Sequence, residues 1–335
     1  MKQDAFEQRY APEWLALEHW LGHSGSSSLP PPLPGTRSAS LTAADFPGAY
    51  RRLCQQLALA RRRGYSALLL GRLESLAQAG HQRLYLPPVP RWQKALRFVT
   101  VDYPRLVRAH GGVMLVSALL FFGPLITWML ILQVRPEWVY AVFGPDQIAQ
   151  FEAMYDPAST RWGRESGSDL MMFGYYIMNN ISIGFRTFAS GLLAGLGSVF
   201  VLVFNGVVIG SVAGHLTAIG YGDPFWRFVA GHSGPELTAI VLAGGAGLQL
   251  GFALIAPGRK PRLRALTDAG WDGARLVLGV FLLLLFAAFV EAYWSSISSI
   301  PALVKYTVGI SLWVLIVGWL LLGGRRQALI ESGAA

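Results

Sequence analysis

The stretch GHSGPELTAIVLAGGAGLQLGFALIA, residues 231–256, carries the most information about the fold. Beyond Glu236 it becomes an apolar run long enough to cross a bilayer, since about 20 apolar residues span the hydrocarbon core. An ionised group at mid-depth costs roughly 2.5 to 3.5 kcal/mol on insertion scales. His232 and Glu236 at the start of such a run therefore indicate a specific structural or functional role.

The composition of the whole chain is typical of a membrane protein. Of its 335 residues, 53% are hydrophobic, only 14% are charged, and 38 are glycine. Soluble domains carry about 25% charged residues. Apolar runs of spanning length occupy 110–133, 192–216, 234–256, 273–293 and 303–323. We therefore predict an all-α, polytopic helical membrane protein.

Basic residues predict the orientation of these spans. Lysine and arginine outnumber acidic residues before residue 110, cluster again around Arg259, and recur at Arg325 and Arg326. Short cytoplasmic loops carry an excess of Lys and Arg, so both termini and the Arg259 loop are predicted to be cytoplasmic. The expected location is a bacterial inner membrane.

A further crossing is needed to connect the acidic segment 134–169, predicted to be external, with the cytoplasmic Arg259 loop. Only two strongly apolar runs lie between them, whereas an odd number of crossings is required. The segment 170–189, LMMFGYYIMNNISIGFRTFA, is long enough to supply the missing one. This gives six spans. In a four-span alternative, 170–189 is interfacial or re-entrant and 234–256 also fails to cross.

The chain divides into two regions. Residues 1–104 are predicted to form a helical cytoplasmic region, in which the Gly/Ser/Pro-rich stretch 22–40 is a flexible linker. Residues 105–335 form the transmembrane domain. Trp92 and Leu96 alternate with Lys94 and Arg97 ahead of the first span, a pattern that favours an interfacial helix on the lipid bilayer. Nothing in the sequence favours nucleic acid as a partner.

Four ionisable residues are expected to meet near the outer side of the membrane in the six-span topology. His232 and Glu236 are four residues apart and share a helix face. His215 lies at the end of the preceding span and Glu291 near the end of the next. Three interpretations remain open for this group, namely a structural cluster that fixes helix register, a proton or substrate site in a transporter, and a metal site.

Two histidines and two carboxylates suit zinc. The pattern HxxxE, however, lacks the second histidine that makes HExxH specific for zinc proteases. His232, Glu236 and Glu291 are therefore kept only as candidate ligands, and no cofactor is predicted.

The paired amides Asn179 and Asn180 interrupt the segment 170–189. Asparagines in a bilayer join helices through hydrogen bonds worth about 0.6 kcal/mol on average. We interpret the pair as a helix-joining element, with a polar cavity lining as the alternative and Asn205 in the next span as a possible partner.

Glycines spaced four apart predict close helix packing, because they recur on nearly one face and let backbones approach. We expect the third and fourth spans to be tightly apposed through them; a glycine-lined path is the alternative, and the same faces allow a homodimer. The residues are Gly191, Gly195, Gly206, Gly210, Gly214, Gly247 and Gly251.

Together, several segments resemble the stage II sporulation protein M family of bacterial integral membrane proteins. They are DFPGAYRRLCQQLALARRRGYSALLLGRLESLAQAGHQRLY from Asp45, the Asn179-Asn180 pair with its flanks, NGVVIG from Asn205, GHSGPEL from Gly231, and Glu291. The family name implies a sporulation member that acts with peptidoglycan-degrading partners during engulfment. The long N-terminal region resembles the longer, non-sporulation branch.

The expected function is that of an envelope scaffold or assembly partner that binds other envelope proteins. The alternative is a transporter or channel for a small polar or lipidic substrate that uses the His/Glu site. The chain carries no GxSxG, HExxH or P-loop motif. With one cysteine, Cys54, it also has no thiol pair, and we expect no enzyme activity.

Overall fold

The computed structural model describes residues 2–22, 41–42, 44–85, 90–164 and 168–325, and all regular elements in these ranges are helices. The α-helices are α1 (Gln3–Leu21), α2 (Phe46–Arg62), α3 (Ala67–Tyr85), α4 (Arg91–Arg97), α5 (Tyr103–Ala109), α6 (Gly111–Val134), α7 (Pro145–Met154), α8 (Asp169–Ala189), α9 (Leu196–Ala218), α10 (Gly222–Val229), α11 (Ser233–Ile255), α12 (Arg262–Val290) and α13 (Ala302–Leu322). The chain divides into two compact units, 1–90 and 91–335.

The first unit consists of α1, α2 and α3 around its own apolar core. Phe6, Trp14, Leu53 and Leu73 are almost completely buried there. The Trp14 indole donates to Gln56 Oε1 at 2.7 Å, so the only polar atom of this large ring is satisfied. The predicted linker 22–40 lies outside the described residues except for Gly22, which ends α1 at φ 70°.

Within its described residues, the second unit contains five helices that are long and apolar enough to cross a membrane, namely α6, α9, α11, α13 and the long helix Arg262–Ser295 that includes α12. This confirms the prediction of a polytopic helical membrane protein. Four of them begin and end within about four residues of the predicted runs. The exception is α12, which begins at Arg262 rather than near 273. Its first turns carry charges, so hydropathy alone does not detect them.

Helix α8 runs antiparallel to α12 between the same two ends of the bundle. Asn180 donates to Glu291 near the end of α12, whereas Phe188 contacts Gly273 near its beginning. In between, Gly184 packs on Leu284. A helix of 21 residues is about 30 Å long, which equals the thickness of the hydrocarbon core. This course agrees with the predicted crossing by 170–189, and six spans remain a prediction.

Helix α11 occupies the centre of the second unit, and more than half of its most apolar stretch is buried. It is continuous over 23 residues. Its C-terminal half packs against the turn between α8 and α9, where glycines bring the two backbones into contact. A Cβ atom on Gly191 would lie 2.1 Å from the Gly247 carbonyl oxygen, and one on Gly251 would lie 2.2 Å from the Gly195 nitrogen. We call this the glycine end.

The remaining predicted packing glycines serve a different helix pair from the one expected. Gly206, Gly210 and Gly214 in α9 face α6, where a Cβ on Gly210 would lie 2.3 Å from the Leu125 carbonyl oxygen. The prediction that these glycines join the third and fourth spans was therefore wrong. The glycine spacing gives the contact face of α9 but does not say which neighbour occupies it.

Candidate functional site

Three of the four predicted ionisable residues converge at the opposite end of α11. Suitable ligand atoms of His232, Glu236 and Glu291 all lie within 4.8 Å of one another. His232 Nε2 is 3.8 Å from Glu236 Oε2. His232 is 4% exposed and Glu291 9%, so two groups that normally favour water are held inside the bundle. We call this group the triad, and the end of the bundle that contains it the polar end.

The sequence around His232 explains how α11 begins there. His232 is the residue before the first turn, and Pro235 lies within that turn, where a missing N–H costs no intrahelical bond. Gly231 and Gly234 allow close approach, since a Cβ on Gly231 would lie 2.2 Å from the Trp294 ring. Glu236 stands in the first turn of α11, where the helix dipole favours a negative charge.

A π-helical turn at Glu291–Ser295 supplies the other side of the site. Such turns insert an extra residue into a helix and often occur at functional sites. This one presents both Glu291 and Ser295 to α11. Ser295 Oγ lies 3.0 Å from His232 Nδ1, so the imidazole is held by one nitrogen while the other faces Glu236.

The asparagine pair in α8 belongs to the same site. Asn180 Nδ2 donates to Glu291 Oε2 at 3.3 Å, and Asn179 Nδ2 donates to Asn180 Oδ1 at 3.0 Å. Asn180 is 2% exposed. The predicted partner Asn205 is not involved, since its amide donates to the Val201 carbonyl of its own helix at 2.8 Å. The amides thus connect α8 to the triad, which the sequence did not predict.

Lys305, in the first turns of α13, is a residue that the sequence analysis missed. It is fully buried, and its Nζ donates to the Ser295 carbonyl at 2.6 Å. The ammonium stands 5.3 Å from the Trp162 ring centroid and 5.8 Å from that of Trp294, within the range of cation–π attraction. A lone lysine in an otherwise apolar span was the available signal, because ionisable residues in spans are rarely without a role.

The segment before α8 covers the site. Trp162 N donates to the Ser296 carbonyl at 3.2 Å, and the Arg227 guanidinium lies 4.8 Å from the Trp162 ring. Burial raises the pKa of the Tyr155 phenol well above its usual range, and the charge of Glu291 adds to this shift. The Tyr155 hydroxyl is therefore a neutral neighbour of the triad.

His215 does not join the triad, contrary to prediction. Its Nε2 instead lies 2.8 Å from Glu152 Oε1 in α7. The segment between α6 and α8 folds back as a helix over the end of α9 and brings its own carboxylate. Sequence reasoning placed His215 at the correct end of the bundle but had no means of anticipating this nearer partner.

The chemistry available at the triad follows from its charges. Two carboxylates this close repel each other in a medium of low dielectric constant unless a positive charge lies between or beside them. Lys305 contributes one positive charge nearby. The group is thus equipped to share a proton, to hold a cation, or to fix the register of α8, α11 and α12.

Comparison with known proteins gives two family matches. The model of Stage II sporulation protein M matches residues 114–296, more than half of the chain, and this range contains the triad and Asn180. A domain of unknown function (DUF8413) matches residues 4–86, which correspond to the first unit. Neither the curated proteins nor the solved structures gave a match. The chain belongs to the Stage II sporulation protein M family.

Proposed function

We propose that the protein is a non-enzymatic scaffold or assembly partner for other envelope proteins in the bacterial inner membrane. The observation that supports it best is the mutual pairing of polar groups inside the bundle. His232, Glu291 and Lys305 each bond to a neighbouring helix or turn within the unit. Such pairing favours one fixed helix register, which suits a protein that offers a constant surface to its partners.

The first unit adds to this proposal. It is a compact helical domain with a core of its own, and it matches a family model different from that of the membrane unit. A separate soluble-type domain on a membrane protein provides a surface on which other proteins can assemble. Leu68 in α3 is 79% exposed and marks such a surface.

Photo-crosslinking in intact cells tests the scaffold role. A photoreactive amino acid at Leu68 should capture the same envelope proteins in repeated experiments, whereas one at the equally exposed Leu303 in α13 samples the membrane unit. Capture of a reproducible set from either position, identified by mass spectrometry, supports the proposal. Capture of lipid or of abundant bystander proteins alone contradicts it.

Transport is the second candidate, and the partial exposure of Glu236 favours it. The side chain of Glu236 is 18% exposed, compared with 6% for His232, so the carboxylate is the most accessible member of this pair. Proteoliposomes containing a pH-sensitive dye or a fluorescent lipid probe measure proton and lipid movement. Movement that Glu236→Gln abolishes and Glu152→Gln leaves intact supports transport and contradicts a purely structural role.

The proposed orientation has both termini in the cytoplasm. Cysteines introduced at Ala158 and Arg259 in a Cys54→Ser background test it with a membrane-impermeant maleimide on spheroplasts. We expect labelling from outside at Ala158 only. A cysteine at Ser190 should be labelled only after the membrane is opened, and labelling of Ser190→Cys from outside contradicts the crossing by α8.

A further inference from the structure

The structure assigns a divalent transition-metal site to His232, Glu236 and Glu291, at the polar end of the bundle. The ion would be held by one imidazole nitrogen and two carboxylate oxygens. This goes beyond the scaffold proposal, which requires no ion.

The triad offers one imidazole nitrogen and two carboxylates, a donor set that suits a transition-metal ion. The three residues come from two different helices, yet their ligand atoms lie within 4.8 Å of one another. Zinc binds histidine nitrogen and carboxylate oxygen at about 2.0 to 2.2 Å, so ligand atoms around it stand about 3.3 to 3.5 Å apart. Small side-chain rotations close the difference. Calcium and magnesium prefer sites made of oxygen alone, whereas zinc binds both imidazole nitrogen and carboxylate oxygen, so the mixed donor set favours zinc. Manganese is the alternative that the two carboxylates allow.

The hydrogen bonds that neighbouring residues make to His232 and Glu291 also fit a metal site. Metal-binding histidines usually engage a neighbouring group through their other ring nitrogen, and binding carboxylates accept hydrogen bonds from outer residues. Both features occur here, because Ser295 Oγ holds His232 Nδ1 and Asn180 Nδ2 donates to Glu291. In the tautomer in which Nδ1 donates to Ser295, Nε2 directs its lone pair towards Glu236. Three electron-pair donors then face one point.

A comparison within the molecule separates this site from an ordinary ion pair. His215 and Glu152 form a direct contact at 2.8 Å, as expected when a proton lies between them. His232 and Glu236 stand 3.8 Å apart although they share one helix face, and a second carboxylate lies beside them. His232 and Glu236 thus do not form a direct hydrogen bond with each other, although a shared ion could join both.

Lys305 is the charged group that competes with an ion at this site. Its Nζ is bonded to the Ser295 carbonyl and faces two tryptophan rings rather than a carboxylate in the described contacts. Lys305 therefore does not pair directly with Glu236 or Glu291 in the described contacts. A divalent ion between the two carboxylates, or protonation of a carboxyl group, relieves their repulsion, and metal analysis distinguishes these two solutions.

The test uses the full chain, purified in detergent with a tag that contains no histidine, stripped with a chelator and reloaded with Zn²⁺ or Mn²⁺. Elemental analysis should give about one ion per chain. His232→Ala and Glu291→Gln should abolish stoichiometric binding, whereas the matched variants His215→Ala and Glu152→Gln should retain it. Absence of binding by the unsubstituted chain, or equal binding by His232→Ala, overturns the proposal.

Two further measurements keep the test decisive if a triad variant does not fold. Loading the unsubstituted chain with Co²⁺ should give visible absorption bands and an X-ray absorption spectrum with nitrogen and oxygen ligands only. Ser295→Ala and Asn180→Ala should weaken Zn²⁺ binding about 10- to 100-fold, as loss of outer partners does. A sulfur ligand, or unchanged affinity in both variants, contradicts the assignment.

Discussion

The two ends of α11 are held in different ways. At the glycine end, Gly251 lets its backbone touch that of Gly195 in the turn between α8 and α9, and Gly247 leaves room for the Ser198 side chain while its backbone lies against Gly191. At the polar end, His232 and Glu236 meet Glu291 through side chains, and Asn180 and Ser295 complete the contacts. The glycine end depends on the absence of Cβ atoms, whereas the polar end depends on which hydrogen-bonding groups its side chains carry.

The two ends of α11 should therefore tolerate different substitutions. Water does not drive helix association inside a bilayer, so close packing and hydrogen bonds have to do it. A packed backbone contact rejects any added atom, whereas a polar contact accepts a replacement that keeps the same donor or acceptor. The following substitutions test this comparison.

The largest effect is expected at the glycine end. In Gly251→Val, the new Cβ would lie 2.2 Å from the Gly195 nitrogen and 2.4 Å from its Cα. Backbone atoms cannot relieve such a clash by changing rotamer, as a flexible side chain could. Overpacking of this kind costs about 3 kcal/mol or more. We expect little folded protein, measured by size-exclusion chromatography and thermal unfolding in detergent. In Gly318→Ala in α13, the added Cβ would have no atom within 4 Å beyond its chain neighbours and its own helix backbone, so this variant should fold normally. Normal folding of both variants would contradict the close-contact explanation.

The next effect is expected at the triad. Glu291→Ala leaves the Asn180 amide without its acceptor inside the bundle. A buried polar group left without a partner costs about 1 to 3 kcal/mol. The thermal midpoint in detergent should fall clearly for Glu291→Ala and less for Glu291→Gln, whose amide oxygen still accepts a hydrogen bond. Equal midpoints for the two variants would show that the acceptor has no structural importance.

A smaller effect is expected for the amides. Asn180→Ala removes one interhelical hydrogen bond, worth about 0.6 kcal/mol on average in membrane proteins and about 1.7 at most. Asn205→Ala removes only a bond to its own helix. We therefore expect Asn180→Ala to unfold at a lower denaturant concentration than Asn205→Ala. The reverse order would remove Asn180 from the group of register-fixing residues.

The smallest effect is expected for the pair at the surface of the polar end. The Glu152 side chain is 39% exposed, so water partly replaces its contact with His215. Exposed ion pairs contribute about 0 to 1 kcal/mol. Glu152→Ala should therefore shift the unfolding midpoint less than Glu291→Ala does. A larger shift would mean that α7 is an essential part of the membrane unit.

The sequence was sufficient to predict the five apolar helices and all three residues of the triad. Hydropathy is a local property, so four of the five apolar helices appear within a few residues of the predicted runs. His232 and Glu236 were predictable because a helix fixes the spacing of residues four apart. Glu291 followed from the order of crossings, which places the end of one span beside the start of another.

Apart from Lys305 and the charged first turns of α12, the misses concern contacts that no local pattern encodes. The π turn at Glu291–Ser295 determines which side chains of that helix reach His232, and it has no sequence signature that we recognised. His215 pairs with Glu152 because the segment between α6 and α8 forms the helix α7 and brings this carboxylate to the end of α9. The spacing of the glycines in α9 predicted their common face correctly, but this face packs on α6 rather than on the predicted neighbour. Spacing describes one helix, whereas a contact depends on two.

The bond between Asn180 and Glu291 also bears on how the protein is made. Helix α8 is absent from the helices that hydropathy marks as spans, and the acceptor for its buried amide is synthesised 111 residues later. In the six-span topology, α8 would therefore reach the bilayer before its polar partner exists, because Glu291 is synthesised only after α12 has been completed. The order in which the helices are synthesised thus differs from the order in which their contacts are completed.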